Sequence, residues 1–200
     1  GLAAYKMAGD YAQQEVKDIL SIGGISVKHG VKVGEDISLA ELQTNYDAVF
    51  MGVGLGASKG MALEGEQASG VINAVEYIHQ LRQSADLGTL SVGQNVVVIG
   101  GGMTAIDIAI QIKRLGAPSV TMAYRRGKQQ MNASLEEQEF ALNEGVHIAH
   151  WAQPVSLQTE HGAITGVEFK TANIEGGETY VLPTDMLFKA IGQNLTAINM

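Results

Sequence analysis

The sequence predicts an α/β fold: a parallel sheet covered on both faces, with a small antiparallel β-meander late in the chain. Three observations predict it. Strand-like apolar runs alternate with helical periods through the first three quarters of the chain, which calls for parallel strands joined by helices. The buried-strand pattern Val96-Val-Val-Ile99 runs directly into Gly100-Gly101-Gly102 and then into a helical pattern ending near Leu115. From Val146 onward, strand-like runs follow one another with turn residues but no helix between them.

Each element has its own signal. Asp10-Tyr-Ala-Gln13 has the spacing of a helix start, followed by Val16, Ile19 and Leu20 at helical period, and Gly23-Gly24 stops the helix. Ile25 to Val33 reads as one or two short strands. Ser38-Leu-Ala-Glu41 is a capping box for a short helix, and Tyr46 to Met51 reads as a buried strand entering Gly52-Val-Gly54-Leu-Gly56. Ala57 to Gly70 is loop-like, and Asn73-Ala-Val-Glu76 opens a helix through about Arg82. After the glycine turn and its helix, Gly116 sits where a left-handed cap belongs, with Pro118 behind it. Ser119 to Tyr124 is a strand, and Ser134-Leu-Glu-Glu137 caps a helix ending near Gly145. Val146 to Trp151, Val155 to Thr159 and Gly166 to Ala172 are strands, and the last apolar run is Met186 to Ile191. The polar stretch Leu81 to Gln94, with Gly88 and Gly93, marks a domain boundary.

Composition narrows the function. Two hundred residues with 46% hydrophobic and 17% charged content suit one good core or two small domains. No apolar run approaches the roughly 18 residues of a membrane span, and Gly1 to Tyr5 carries no signal-peptide pattern. The chain starts without Met and is expected to be a piece of a longer protein. A net charge of −8 argues against non-specific nucleic-acid binding. With no cysteine, the chain offers no disulfide framework, thiolate zinc site, redox CxxC or cysteine-ligated iron–sulfur cluster. The expected location is cytoplasmic, with neither membrane nor nucleic acid as partner.

Three glycines between a strand and a helix answer a chemical need. Gly100 permits the tight turn, Gly102 lets backbone approach a pyrophosphate, and Ala105 stands where a small residue packs helix against strand. Gly100-x-Gly102-x-x-Ala105 is therefore a Rossmann-like dinucleotide fingerprint in its required context, with helix N–H groups and dipole facing the phosphates. The alternative is a glycine turn made only for close packing. The next strand normally ends in an acid that binds the NAD ribose, but here it ends in Arg125-Arg126 with Lys128 just beyond. Guanidinium pairs suit a 2′-phosphate, which favours NADP(H) over NAD(H), against the alternative of a solvated basic turn.

These residues resemble a known family. Val97-Val-Ile-Gly-Gly-Gly-Met-Thr-Ala-Ile-Asp107, Leu115-Gly-Ala-Pro-Ser-Val-Thr121, Tyr124-Arg-Arg-Gly127 and Met131-Asn-Ala-Ser134 look like the pyridine-nucleotide domain of the glutamate synthase small subunit. The same domain occurs in the electron-input part of dihydropyrimidine dehydrogenase. Gly34 to Leu39, Tyr46 to Phe50 and Ala190-Ile191-Gly192-Gln193 extend the resemblance over almost the whole chain. The resemblance implies an NAD(P)H-binding domain, residues 92–184, inserted into a discontinuous FAD-binding domain represented by residues 1–91 and 185–200. Gly52-Val-Gly54-Leu55 would be the crossover, nearer the dihydropyrimidine dehydrogenase type. It implies a flavoprotein oxidoreductase that takes hydride from NAD(P)H to FAD and passes electrons to a catalytic large subunit or domain. Gly100, Gly101, Gly102, Met103 and Thr104 would hold the dinucleotide, Arg125, Arg126 and Lys128 its 2′-phosphate, and Ala190, Ile191 and Gly192 would lie beside the nicotinamide. By alignment Lys6 would lie near the flavin and Val33 near the adenosine part of FAD. The chain departs from the family in three ways: the upstream FAD fingerprint is not in it, the cysteine-rich iron–sulfur segment is not in it, and Met103 replaces an Asp or Asn. Flavin and iron–sulfur clusters are accordingly expected only in the intact protein, the clusters outside this chain.

The remaining candidates have plainer readings. His147 and His150, three apart on a strand, point to opposite faces and make a poor metal pair. Trp151 reads as packing, and Glu136, Glu137 and Glu139 as acids on a solvated helix start. Asp107 reads as a helix-start residue and the eight methionines as core filler. Hydride transfer between cofactors needs no acid–base residue, so no catalytic residue is expected. Two other functions compete: a Rossmann module that senses nucleotide or serves assembly without turnover, and a flavin-independent dehydrogenase, for which no Tyr-x-x-x-Lys or catalytic His arrangement is present.

Overall fold

The computed structural model describes residues 3–7, 9–55 and 57–194. The chain divides into two compact units: Gly1–Lys6 with Ser58–Gly192, and Met7–Ala57 with Gln193–Met200. The second unit carries α1 (Tyr11–Ser21) and α2 (Leu39–Asn45). The short strands β1 (Ala57–Ser58) and β10 (Gln193–Asn194) lie where the chain passes between units. The first unit contains, in chain order, β2 (Val71–Asn73), α3 (Ala74–Gln83), β3 (Asn95–Ile99), α4 (Met103–Arg114), β4 (Ser119–Tyr124), α5 (Leu135–Asn143), β5 (His147–His150), β6 (Ala152–Glu160), β7 (Ala163–Thr171), β8 (Thr179–Pro183) and β9 (Met186–Lys189).

Five of these strands form one sheet in the order β2-β9-β3-β4-β5, every neighbouring pair parallel. Side-chain alternation sorts its residues onto two faces. Val96 and Val98 of β3, Met122 of β4 and Phe188 of β9 join the core beneath α3, α4 and α5. Val97, Ile99, Ala123 and Leu187 turn the other way, onto Ile164, Val167 and Phe169. The second face is therefore covered by the meander β6-β7-β8, whose neighbours pair antiparallel. β9 sits near the middle of the sheet, with Phe188 fully buried and edge-on to Tyr77 at 5.0 Å between ring centres. Truncating Phe188→Ala is expected to lower stability by about 3–5 kcal/mol, the transfer term plus a cavity, read from the shift of the urea midpoint.

Local signals explain most helix boundaries. Ser38 and Ser134 each form the full capping box, with Glu41 and Glu137. Gly116, at φ 107°, ends α4 as the left-handed residue the sequence placed there. Asp10 stands at the start of α1 but makes no side-chain cap hydrogen bond, so the helix lacks the cap its spacing suggested.

Several expectations are corrected. Tyr46 to Met51 forms no strand, and Phe50 is 95% exposed. Ile25 to Val33 forms none either, apart from an isolated bridge between Val33 and Ile37. An apolar run becomes a strand only where a ladder partner stands beside it, and none does among the described residues. The segment beginning at Val146 joins the parallel sheet as β5, pairing with β4, rather than starting the meander. β9 is hydrogen-bonded between β2 and β3, which joins residues 71–73, 95–99 and 186–189 in one sheet. No helix among the described residues is long and apolar enough to cross a membrane.

Candidate functional site

The carboxyl ends of β3, β4 and β9 meet in register, with Ile99 opposite both Ala123 and Lys189. In open parallel sheets this edge is where ligands bind. The three glycines that follow β3 have three different surroundings. Gly100 donates its N–H to the Ala123 carbonyl at 3.1 Å, while Ala190 donates to the Ile99 carbonyl at 2.9 Å. Gly100 has φ 151°, and a Cβ there would strike the Ala190 carbonyl oxygen. A Cβ on Gly101 would run into the Tyr124 ring, and the Gly101 carbonyl accepts from the Ala133 amide at 3.1 Å. Gly102 differs: it is the N-cap of α4, in ordinary extended conformation, and a Cβ there would meet nothing within 4 Å. The first two glycines let the protein close on itself, and the third leaves open space.

That space faces donors. The amides of Gly102, Met103 and Thr104 carry no hydrogen bond among the described residues, as the first turn of a helix dictates. Ala105, fully buried, packs the helix onto the sheet behind them. The arrangement suits an anion at a helix N-terminus.

The basic turn follows β4. Arg125, Arg126 and Lys128 are exposed, and their side chains make no hydrogen bond or ion pair among the described residues. Their backbone, by contrast, is fixed. Trp151 donates its N–H to the Arg126 carbonyl at 3.1 Å, and Gly127 donates to Gln130 Oε1 at 2.8 Å. The Tyr124 hydroxyl donates to the Gln130 carbonyl at 2.6 Å. Trp151 is in the left-handed region at φ 60°, and its indole lies 2.7 Å from where a Gly127 Cβ would stand. The packing role read for Trp151 is thus spent on holding the basic turn, which sequence spacing could not reveal.

His150 lies opposite Tyr124 in the ladder. Burial, then the nearby Lys128 and His147 charges, hold its imidazole below the ordinary histidine pKa. Among the described residues no group of three or more His, Cys, Asp or Glu could hold a metal.

A family model described as pyridine nucleotide-disulphide oxidoreductase matches residues 5–197. The chain belongs to the pyridine nucleotide-disulphide oxidoreductase family. Among curated relatives, the glutamate synthase [NADPH] small chain of Escherichia coli is 33% identical over 96% of this chain and 45% of its own length. The NAD-dependent dihydropyrimidine dehydrogenase subunit PreT of Salmonella typhimurium is 34% identical over 97% of this chain and 44% of its own. The chain thus spans less than half the length of these relatives. The structure of FprA, a Mycobacterium tuberculosis oxidoreductase, superposes with a TM-score of 0.74 at 17% identity, over 99% of this chain and 61% of that one. That likeness agrees with the Rossmann-like fold.

The other expected site residues are dispersed. Ala190 touches the glycine turn through its backbone; Gly192, at φ 108°, accepts from the Lys59 amide at 3.0 Å; Ile191 between them is half-buried. Val33 belongs to the second unit. Lys6 lies against α4 and α5, paired with Asp107 at 2.8 Å and Glu137 at 2.7 Å. Asp107 is not a helix-start residue: it is the fifth residue of α4, buried, and accepts from the Tyr5 hydroxyl at 2.8 Å. Glu137 is no merely solvated acid, since it joins both the Lys6 pair and the α5 capping box. Sequence reading missed Glu66, which accepts from the Met61 and Ala62 amides at 2.5 and 3.1 Å and lies 3.8 Å from Lys189 at the end of β9. No local motif announces that contact, because it joins a loop to a strand more than a hundred residues later.

Proposed function

We propose that the chain is the NADPH-binding part of a longer flavoprotein that takes hydride from NADPH to FAD and passes the electrons to a partner subunit or domain. One observation carries the reading: unpartnered amides at Gly102 to Thr104 stand at the same sheet edge as a basic turn whose backbone is braced and whose guanidiniums are unengaged. The amides hold a pyrophosphate. Arg125 and Arg126, with Lys128, grip a ribose 2′-phosphate by charge-assisted hydrogen bonds. Backbone at Ala190 to Gly192 borders the nicotinamide end. When bound, nicotinamide and flavin supply the redox chemistry, and the protein contributes orientation and electrostatics. The names of the two curated relatives, a small chain and a subunit, support transfer to a partner.

In this reading residues 58–192 form the nucleotide portion, and residues 7–57 with 193–200 belong to the flavin portion. Support comes from the second unit's surface. Neither α1 nor α2 contains a buried residue, and Ile22 and Phe50 are 82% and 95% exposed. So much exposed apolar surface suits a fragment of a larger domain. The cysteine-free composition supports a cytoplasmic location.

The test is a pair of measurements. The chain should bind NADPH in a calorimetric titration yet purify colourless, while a chain lengthened on its N-terminal side to the span of its relatives should purify yellow. Failure to bind any pyridine nucleotide overturns the nucleotide assignment. A yellow short chain overturns the assignment of flavin binding to the longer protein.

A further inference from the structure

We propose that Lys6 is an intramolecular counter-ion that sets the chain's affinity for the dinucleotide, by docking residues 3–6 as a strap over the helices that flank the glycine turn; this rests on the nucleotide reading above. The strap is firmly seated. Ala3 is fully buried, Ala4 donates its N–H to Gln111 Oε1 at 3.0 Å, and Tyr5 donates its hydroxyl to Asp107 Oδ1 at 2.8 Å. The Tyr5 ring lies 5.6 Å from that of Phe140, and the Arg114 guanidinium sits over both rings at 5.1 and 5.7 Å. Lys6 then closes two ion pairs, with Asp107 on α4 and Glu137 on α5.

Those two acids are in a sensitive place. Asp107 is about 6 Å along α4 from its first residue, at 1.5 Å rise per residue. Glu137 is in the first turn of α5, whose N-cap Ser134 follows directly on Ala133, the residue bonded to the Gly101 carbonyl. A carboxylate one turn into α4 and another in the first turn of α5 oppose an incoming pyrophosphate. Asp107 is only 7% exposed, so solvent screens its charge poorly. Lys6 faces both from one position and offsets one of their two negative charges. Burial opposes the Lys6 charge, but the two carboxylates outweigh it and hold its pKa above the ordinary lysine value. Burial and the Asp107 bond push the Tyr5 hydroxyl pKa up, so it remains a donor. With the strap seated, the turn presents amides to the anion with one negative charge fewer behind them. By linkage, bound dinucleotide must tighten the strap to the same degree.

The experiment is calorimetric titration of NADPH into the whole chain at low salt, for wild type, Lys6→Gln, Asp107→Asn and the double variant, with thermal midpoints recorded for each. Lys6→Gln is expected to weaken binding roughly fivefold, the scale of one added uncompensated charge in a partly screened medium. Asp107→Asn should bind at least as tightly as wild type, and the double variant should return to within roughly twofold of it. Raising salt should shrink the Lys6→Gln effect. A wild-type chain that binds NADPH while Lys6→Gln binds it equally well overturns the inference. So does a double variant as weak as Lys6→Gln, since the strap would then act by shape and not charge. A wild type that binds no pyridine nucleotide instead sinks the underlying nucleotide reading.

Discussion

Gly102→Ala is expected to leave the protein folded and to weaken NADPH binding roughly ten- to a hundredfold, whereas Gly100→Ala is expected to fail as a fold. The contrast follows from surroundings, not residue type. At Gly102 the backbone is extended and a methyl group meets no protein atom within 4 Å, so the folding penalty is only that of a poorer N-cap, about 1 kcal/mol. The methyl would occupy the space through which the Gly102, Met103 and Thr104 amides reach an anion. Losing one or two charge-assisted hydrogen bonds at about 1.5–3 kcal/mol each accounts for the affinity change. At Gly100 the same methyl strikes a backbone oxygen that cannot rotate away, and φ 151° is unfavourable for any side chain. Strain and overpacking together remove about 3–5 kcal/mol, a large share of an ordinary domain's stability. Chemical denaturation and NADPH calorimetry on the same two variants check both halves. A Gly102→Ala protein that binds NADPH like wild type would refute the pyrophosphate assignment.

The second large effect concerns the choice of coenzyme. Replacing Arg125 and Arg126 together by alanine is expected to lower NADPH affinity roughly a hundredfold or more, at about 1.5–3 kcal/mol per charge-assisted contact, and to leave NADH affinity nearly unchanged. Stability should hardly move, because both side chains are exposed and unpaired among the described residues, and the turn is braced instead through Trp151, Gly127 and Gln130. The measured quantity is the ratio of the two dissociation constants in wild type and variant. Equal losses for both coenzymes would mean the arginines act on something common to them, and an unchanged ratio would return the pair to the status of a solvated turn.

Sequence patterns reached the parts of this molecule that are specified locally. The capping boxes at Ser38 and Ser134, the left-handed stop at Gly116 and the β3–glycine–α4 passage each depend on residues within a few positions of one another. What escaped depends on distant partners. Tyr46 to Met51 has a strand's composition and no ladder beside it. The place of β9 between β2 and β3 cannot be read from its own residues. The same holds in the site. The glycine spacing was legible, but the separate duties of Gly100 and Gly101 are set by Ala190 and Tyr124. Asp107 looked like an ordinary residue of a helix start until Tyr5 and Lys6, a hundred positions earlier, were found against it.

The position of β9 also governs the order in which the molecule can be made. Its slot lies between two strands translated much earlier, so the ribosome must release almost all of residues 58–192 before the gap in the sheet is filled. Until then β2 and β3 each leave an edge open, the condition under which nascent chains pair wrongly or clump. Ala190 arrives with that same late strand and supplies the carbonyl against which Gly100 is moulded. The glycine turn therefore gains its full surroundings only once β9 has been made, and a product terminated before β9 carries its glycine sequence without its shape.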